Sequence, residues 1–213
     1  MRFEVDALLF DMDGTLIDST PSVLRSWNTL TAEFAIPPEL FAVVPTHGRP
    51  AGEILADLLP RDLIGPAAAR LDELERTDTA DVTVLPGAAD LLAAAPAGRW
   101  AVVTSAGRAL ARVRLGAAGI AARRLVTIED VSRGKPDPEP FLLGAKLLGA
   151  PPERCLVFED APAGLAAARA AGAATVAVTT THAAADLDAD LVVPDLGALR
   201  IEPGGDRLIV ATR

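Results

Sequence analysis

Asp11-Met12-Asp13-Gly14 sets two carboxylates one residue apart, directly behind the apolar run Ala7-Leu8-Leu9-Phe10. A short apolar run bounded by turn residues predicts a strand buried on both faces. Gly14 lets the backbone turn away at the strand's carboxyl end, where ligands sit in open α/β sheets. The pair suits a nucleophile, Asp11, and an acid/base partner, Asp13. The same residue types also make turns and helix caps, so their meaning depends on what else reaches that place.

Three further groups do. Thr104-Ser105-Ala106-Gly107 ends the apolar run Trp100-Ala101-Val102-Val103 and opens a helix. Hydroxyls and free backbone N–H groups at a helix start hold anions, although Ser105 could equally be an ordinary N-cap. Lys135 sits in Gly134-Lys135-Pro136-Asp137-Pro138, where the prolines stiffen the backbone. Lys135 and Lys146 are the only lysines in an arginine-rich chain, so a lysine here suggests a need for a compact point charge. Glu159-Asp160 ends the run Leu156-Val157-Phe158. Adjacent acids there could hold Mg²⁺, a hard cation that takes oxygen ligands, or could simply favour the helix start that follows. Each alternative is reasonable alone. Together the four groups supply a nucleophile, an acid/base, phosphate donors, a counter-cation and metal ligands, the set that phosphoryl transfer requires.

The elements that must position these groups follow from periodicity. After the first strand, Ser19-Thr20-Pro21 predicts a helix start with a capping hydroxyl. Val23, Trp27, Leu30 and Phe34 then keep a helical period. Pro50 and Pro66 are expected to open two more helices, and nothing between 19 and 81 alternates like a strand. Beyond it, strands expected at 100–104, 125–128, 156–158, 175–178 and 191–193 alternate with helices at 87–95, 107–115, 138–148 and 162–171. That alternation predicts a parallel sheet with helices on both faces. Residues 199–202 and 207–211 flank Pro203-Gly204-Gly205-Asp206, a hairpin signal.

Composition bounds the function. The 213 residues allow one large domain or a core with a small insertion. A formal net charge of −9 with no basic patch argues against a nucleic-acid partner. The single cysteine, Cys155, permits no intrachain disulfide, suggests a reducing compartment, and reads as a buried small hydrophobe. Acids interrupt the first residues, so no signal peptide is expected, and no apolar run is long enough for a membrane span. A cytoplasmic monomer is the expectation.

As an ordered set, DMDGT (11–15), TS (104–105), GKPDPEP (134–140) and FEDAPAG (158–164) resemble the haloacid dehalogenase superfamily over essentially the whole chain. The resemblance implies a Rossmann-like α/β core of residues 1–17 and 85–213, with 18–84 inserted as a small helical cap. It implies that Asp11 forms an aspartyl-phosphate, and that Asp13 protonates the leaving oxygen and then activates water. It implies Mg²⁺ held by the Asp11 carboxylate, the Asp13 backbone carbonyl and Asp160, with Glu159 nearby. Thr104, Ser105 and Lys135 would bind the transferring phosphate, and His47 and Arg49 in the cap would reach the substrate. Within the superfamily the wording is similar to small sugar-phosphate and polyol-phosphate phosphatases, including those acting on glycerol phosphate and 2-deoxyglucose 6-phosphate. A phosphosugar mutase is the alternative enzyme, and a non-catalytic phospho-ligand-binding relative the alternative class. Against a mutase, Val23 stands where that group carries a cap histidine. Thr15 replaces its valine and is expected to hydrogen-bond near Asp13.

Overall fold

In the computed structural model, residues 1–44 and 49–213 are described. β1 (Arg2–Val5) leads into β2 (Ala7–Phe10), β3 (Ile17–Asp18) and the helices α1 (Thr20–Glu33), α2 (Pro38–Phe41), α3 (Ala51–Leu58) and α4 (Arg61–Thr77). The chain returns through β4 (Thr83–Val84) to α5 (Ala88–Ala94), β5 (Trp100–Val103), α6 (Arg108–Ala117), β6 (Leu125–Val126) and α7 (Glu139–Leu148). It finishes with β7 (Cys155–Glu159), α8 (Pro162–Ala170), β8 (Ala174–Val178), β9 (Leu191–Val193), β10 (Leu199–Gly204) and β11 (Arg207–Thr212).

Six strands form a parallel sheet in the order β6-β5-β2-β7-β8-β9. β2 is central, and its two neighbours are the strands that carry the other motifs: Leu8 pairs with Trp100 of β5 on one side and with Leu156 of β7 on the other. The chain leaves β2 towards β5 and β6, then crosses back to β7. β2 therefore lies at a reversal of strand order, where the carboxyl ends open a crevice. Alternate residues supply the two faces. Leu8, Phe10, Val102, Leu156 and Phe158 pack with α5, α6 and the terminal hairpin; Ala7, Leu9, Val103, Cys155 and Val157 pack with α7 and α8. Phe10 stacks on Phe158 at 4.5 Å and meets the edge of Trp100 at 6.3 Å, which ties the three site-bearing strands together.

Residues between β3 and β4 form a separate helical cluster. Trp27 and Leu30 of α1, Ile54, Leu55 and Leu58 of α3, and Ala67 and Leu71 of α4 share one apolar interior. β3 and β4 pair antiparallel, Ile17 with Val84 and Asp18 with Thr83, so both chain crossings lie side by side. α4 begins at Arg61 rather than at Pro66, which sits inside the helix. Burial of Ala67 and Leu71 outweighs the missing N–H, an instance of packing overriding propensity.

Three other expectations are corrected. The strand foreseen at 125–128 stops at Val126, because the Asp130 carboxylate takes both the N–H and the hydroxyl of Thr127 at 2.8 Å and pulls the chain into a single tight turn. Ser19 stands at the N-cap of α1 but caps nothing; its hydroxyl points to Asp13, and Asp18 accepts the Thr20 N–H instead. β1 was not foreseen. It pairs antiparallel with β11, which also pairs with β10 in the expected hairpin, giving a three-stranded sheet. Among the described residues, no helix is long and apolar enough to cross a membrane.

Candidate active site

The β2 ladder runs on to Asp11, whose N–H donates to the Phe158 carbonyl at 3.0 Å. The chain then turns sharply: the N–H groups of Leu16 and Ile17 return to the Met12 carbonyl at 2.9 and 3.1 Å. Gly14 makes this turn possible, with φ of +86°. It also clears space, since a Cβ there would lie 2.4 Å from an Asp160 carboxylate oxygen. Asp11 is thereby buried, while Asp13, two residues on, is half-buried.

Lys135 comes from the loop before α7. The Glu139 carboxylate accepts the N–H groups of Ser132 and Arg133 at 3.0 and 2.9 Å, and Asp137 accepts the Glu139 N–H at 3.0 Å, which fixes this loop. The Lys135 ammonium is buried against three acceptors: Asp11 at 2.6 Å, Glu159 at 2.7 Å and the Val103 carbonyl at 3.0 Å. It also faces the Phe141 ring at 5.0 Å. Burial pulls its pKa down, but Asp11 and Glu159 outweigh that and leave it above the usual lysine value. A solvated loop cation is excluded.

Glu159 is committed on both oxygens. One accepts from Lys135 at 2.7 Å; the other accepts the N–H groups of Asp160 and Ala161 at 2.9 and 3.0 Å. Gly164 leaves room for it, because a Cβ there would overlap its carboxylate at 1.7 Å. Asp160 accepts from Thr15 at 3.3 Å and from Thr181, whose loop also brings His182 to within 3.1 Å of the Asp160 carbonyl. Thr15 thus supports Asp160 rather than Asp13, contrary to the expectation. The side chain of Asp13 is instead held at one oxygen, by the Ser19 hydroxyl at 2.5 Å and by Arg114 of α6 at 3.1 Å.

Asp11, Glu159 and Asp160 each bring a carboxylate oxygen within 4.8 Å of the others. One ammonium faces three buried carboxylates. Burial, only partly offset by Lys135, raises Asp11 well above the ordinary carboxylate range, and burial with the neighbouring Glu159 pushes Asp160 up to about 7. An all-oxygen donor set with excess buried negative charge fits a hard divalent cation. With both Glu159 oxygens engaged, Asp11 and Asp160 are the carboxylates that fit it best.

Thr104 and Ser105 follow β5 and line the same cleft. Ser105 is not the N-cap of α6; Gly107 occupies that position, and the Thr104 hydroxyl accepts the Ala106 N–H at 3.1 Å. The cleft, of about 1350 Å³, lies between the sheet's carboxyl edge and the helical insertion, and Asp11, Asp13 and Asp160 share it with Val23, Trp27 and Arg49. Arg49 pairs with Asp57 at 2.9 Å and lies 3.8 Å from Glu53. His47 lies outside the described residues. Three groups here were missed from sequence: Arg114, its second partner Glu75 of α4, and Thr181. Thr181 had a signal, since it follows the carboxyl end of β8.

Comparison with known proteins agrees with this geometry. The family model for haloacid dehalogenase-like hydrolases matches residues 5–172, and the chain belongs to that family. Hexitol phosphatase A of Escherichia coli is 41% identical over 214 residues, covering 94% of this chain and 97% of that protein. Glycerol-1-phosphate phosphohydrolase 2 of Saccharomyces cerevisiae is 31% identical, covering 94% and 86%. A hydrolase of solved structure from Pseudomonas syringae superposes with a TM-score of 0.80 at 29% identity, covering 90% and 94%.

Proposed function

We propose that this phosphatase hydrolyses a small sugar phosphate or polyol phosphate through a phosphorylated Asp11, with Mg²⁺ as cofactor. The observation that carries the reading is the convergence of Asp11, Asp13, Lys135 and Asp160 in one cleft roofed by a helical insertion. Similarity to phosphatases of hexitol and glycerol phosphates supports the substrate class.

Lys135 holds one Asp11 oxygen, which leaves the other for attack on phosphorus. As the P–O bond to the alcohol breaks, Asp13 gives its proton to the departing oxygen. Asp13 then takes a proton from water, which attacks the acyl phosphate, frees Asp11 and releases inorganic phosphate. Ser19 and Arg114 bind one Asp13 oxygen and leave the other for these transfers. Thr104 and Ser105 donate to the phosphate oxygens, and Lys135 balances their charge. Asp11, the Asp13 backbone carbonyl and Asp160 would hold Mg²⁺, which when bound neutralises charge on the phosphate. Residues 18–84 act as a cap that gates water and reads the substrate, with 1–17 and 85–213 as the core, and Arg49 and His47 contribute to that reading. Val23 lines the cleft without any group to relay a proton to a sugar hydroxyl, which supports hydrolysis over mutase chemistry.

A panel of sugar and polyol phosphates tests this. The reading expects inorganic phosphate from at least one of them with Mg²⁺ and none with excess chelator. Conversion of β-glucose 1-phosphate to glucose 6-phosphate, faster than phosphate release, would contradict it.

A further inference from the structure

Arg114 is out of place by ordinary rules. It lies on the inward side of α6, a turn beyond Leu110 and Ala111, and its side chain is only 4% exposed. Arginine is seldom buried so completely unless it is paired. Its fork spans two carboxylates from different parts of the fold. One terminal nitrogen donates to Asp13 at 3.1 Å; the other lies 3.4 Å from Glu75 of α4, without a formed hydrogen bond. Its Nε is buried and unpartnered as well. Glu75 is itself buried, on a helix whose neighbours Arg70, Asp72, Glu73 and Arg76 make only exposed ion pairs. Both residues line the cleft beside Asp13, and a buried ion pair so incompletely hydrogen-bonded is a poor stabiliser.

The arrangement has a direction. Two links run from the helical insertion to a single oxygen of Asp13: directly from Ser19 at the start of α1, and from Glu75 through Arg114. We propose that Arg114 is a positioning residue that ties the placement of the insertion to the orientation of Asp13, with Glu75 as the handle on the moving side. A slight approach of α4 towards α6 turns the 3.4 Å contact into a hydrogen bond and holds the guanidinium, and with it Asp13, in one orientation. Withdrawal releases both. Proton donation to the leaving oxygen is thereby confined to the closed arrangement. This inference rests on the reading of Asp13 as the acid/base.

The test uses two substrates of nearly one shape that differ in their need for a proton. p-Nitrophenolate leaves readily without protonation, whereas phenolate needs the acid more. kcat/KM covers the steps up to loss of the leaving group, so the ratio of kcat/KM for phenyl phosphate to that for p-nitrophenyl phosphate reports Asp13 function specifically. In Glu75→Leu, which removes the acceptor, and in Arg114→Lys that ratio should fall by about 10-fold or more, part of the 10²–10⁴ that a full acid contributes. The double variant should be no worse than the worse single variant, because both act on one chain of contacts. Melting curves establish that each variant is folded. If Arg114→Lys does not fold, Glu75→Leu, similar in size, decides alone. A ratio within about 2-fold of wild type, or losses that multiply in the double variant, overturns the proposal. If wild-type protein releases phosphate from neither ester and from no sugar or polyol phosphate of the panel, the phosphatase reading itself falls, and this inference with it.

Discussion

Lys135 spends its three N–H groups on Asp11, Glu159 and the Val103 carbonyl, so the charge that faces Asp11, the proposed nucleophile, is fixed in place before any substrate arrives. Preorganised charge of this kind costs no reorganisation during the reaction. The other fixed point is Gly14, which serves both the turn and the Asp160 carboxylate. Gly14→Ala combines a left-handed backbone that alanine resists with a Cβ 2.4 Å from an Asp160 oxygen. The variant should lose roughly 1–3 kcal/mol of stability. It should also need on the order of 10–100 times more Mg²⁺ for half-maximal activity, as expected when support of a ligand is disturbed. Titration of activity with Mg²⁺ checks this, and an unchanged requirement would show that Asp160 does not hold the metal.

At the scale of elements, the strands and their motifs were legible because three of the four motifs follow an apolar run, and the parallel order brought those three runs side by side. The helical insertion was legible as a stretch of helical period without alternation. What stayed hidden has a physical cause. Arg114 and Glu75 sit on helices where charged residues read as a solvent-facing side, and only contact between α4 and α6 buries them. The one available hint was spacing, since Arg114 follows the buried pair Leu110 and Ala111 by one turn. Ser19 read as a cap because its type and place suit one, yet Asp13 competes for the hydroxyl and wins at 2.5 Å. Within α1, the buried Ser26 hydroxyl has no partner. Ser26→Ala should therefore stabilise the protein by about 1 kcal/mol, through lost desolvation cost and better helix propensity. That corresponds to a rise in Tm of roughly 2–4 °C, and a lowered Tm would mean that the hydroxyl does find a partner.

For the molecule as a whole, buried acids set the pH response. Burial pushes both Glu75 and Asp160 to about 7, from ordinary values of 4.5 and 3.8. A raised carboxyl pKa means that the folded protein keeps protons that the unfolded chain has already released. Stability in chelator should therefore fall as pH rises from about 5 to about 7. Acids held low by partners, such as Glu139 and Asp78, act in the opposite sense, but only as pH falls below the ordinary carboxylate range. On the proposed reading Mg²⁺ would bind the ionised carboxylates, so its stabilising effect should grow across the same interval. Melting temperatures from about pH 5 to about pH 8, with EDTA and with Mg²⁺, check both trends. A Tm that climbs in EDTA, or a larger Mg²⁺ shift at the acid end, would contradict them.

The central claim is that Asp11 carries the phosphoryl group. Asn has the shape of Asp but cannot form an acyl phosphate, and at this position it keeps an oxygen for the Lys135 contact. The most direct measurement is the release of inorganic phosphate from the best sugar or polyol phosphate of the panel by purified Asp11→Asn, shown by mass to be free of deamidation. The account predicts release at the no-enzyme background beside a wild type that turns over. A folded Asp11→Asn protein that retains a substantial share of the wild-type rate would contradict it.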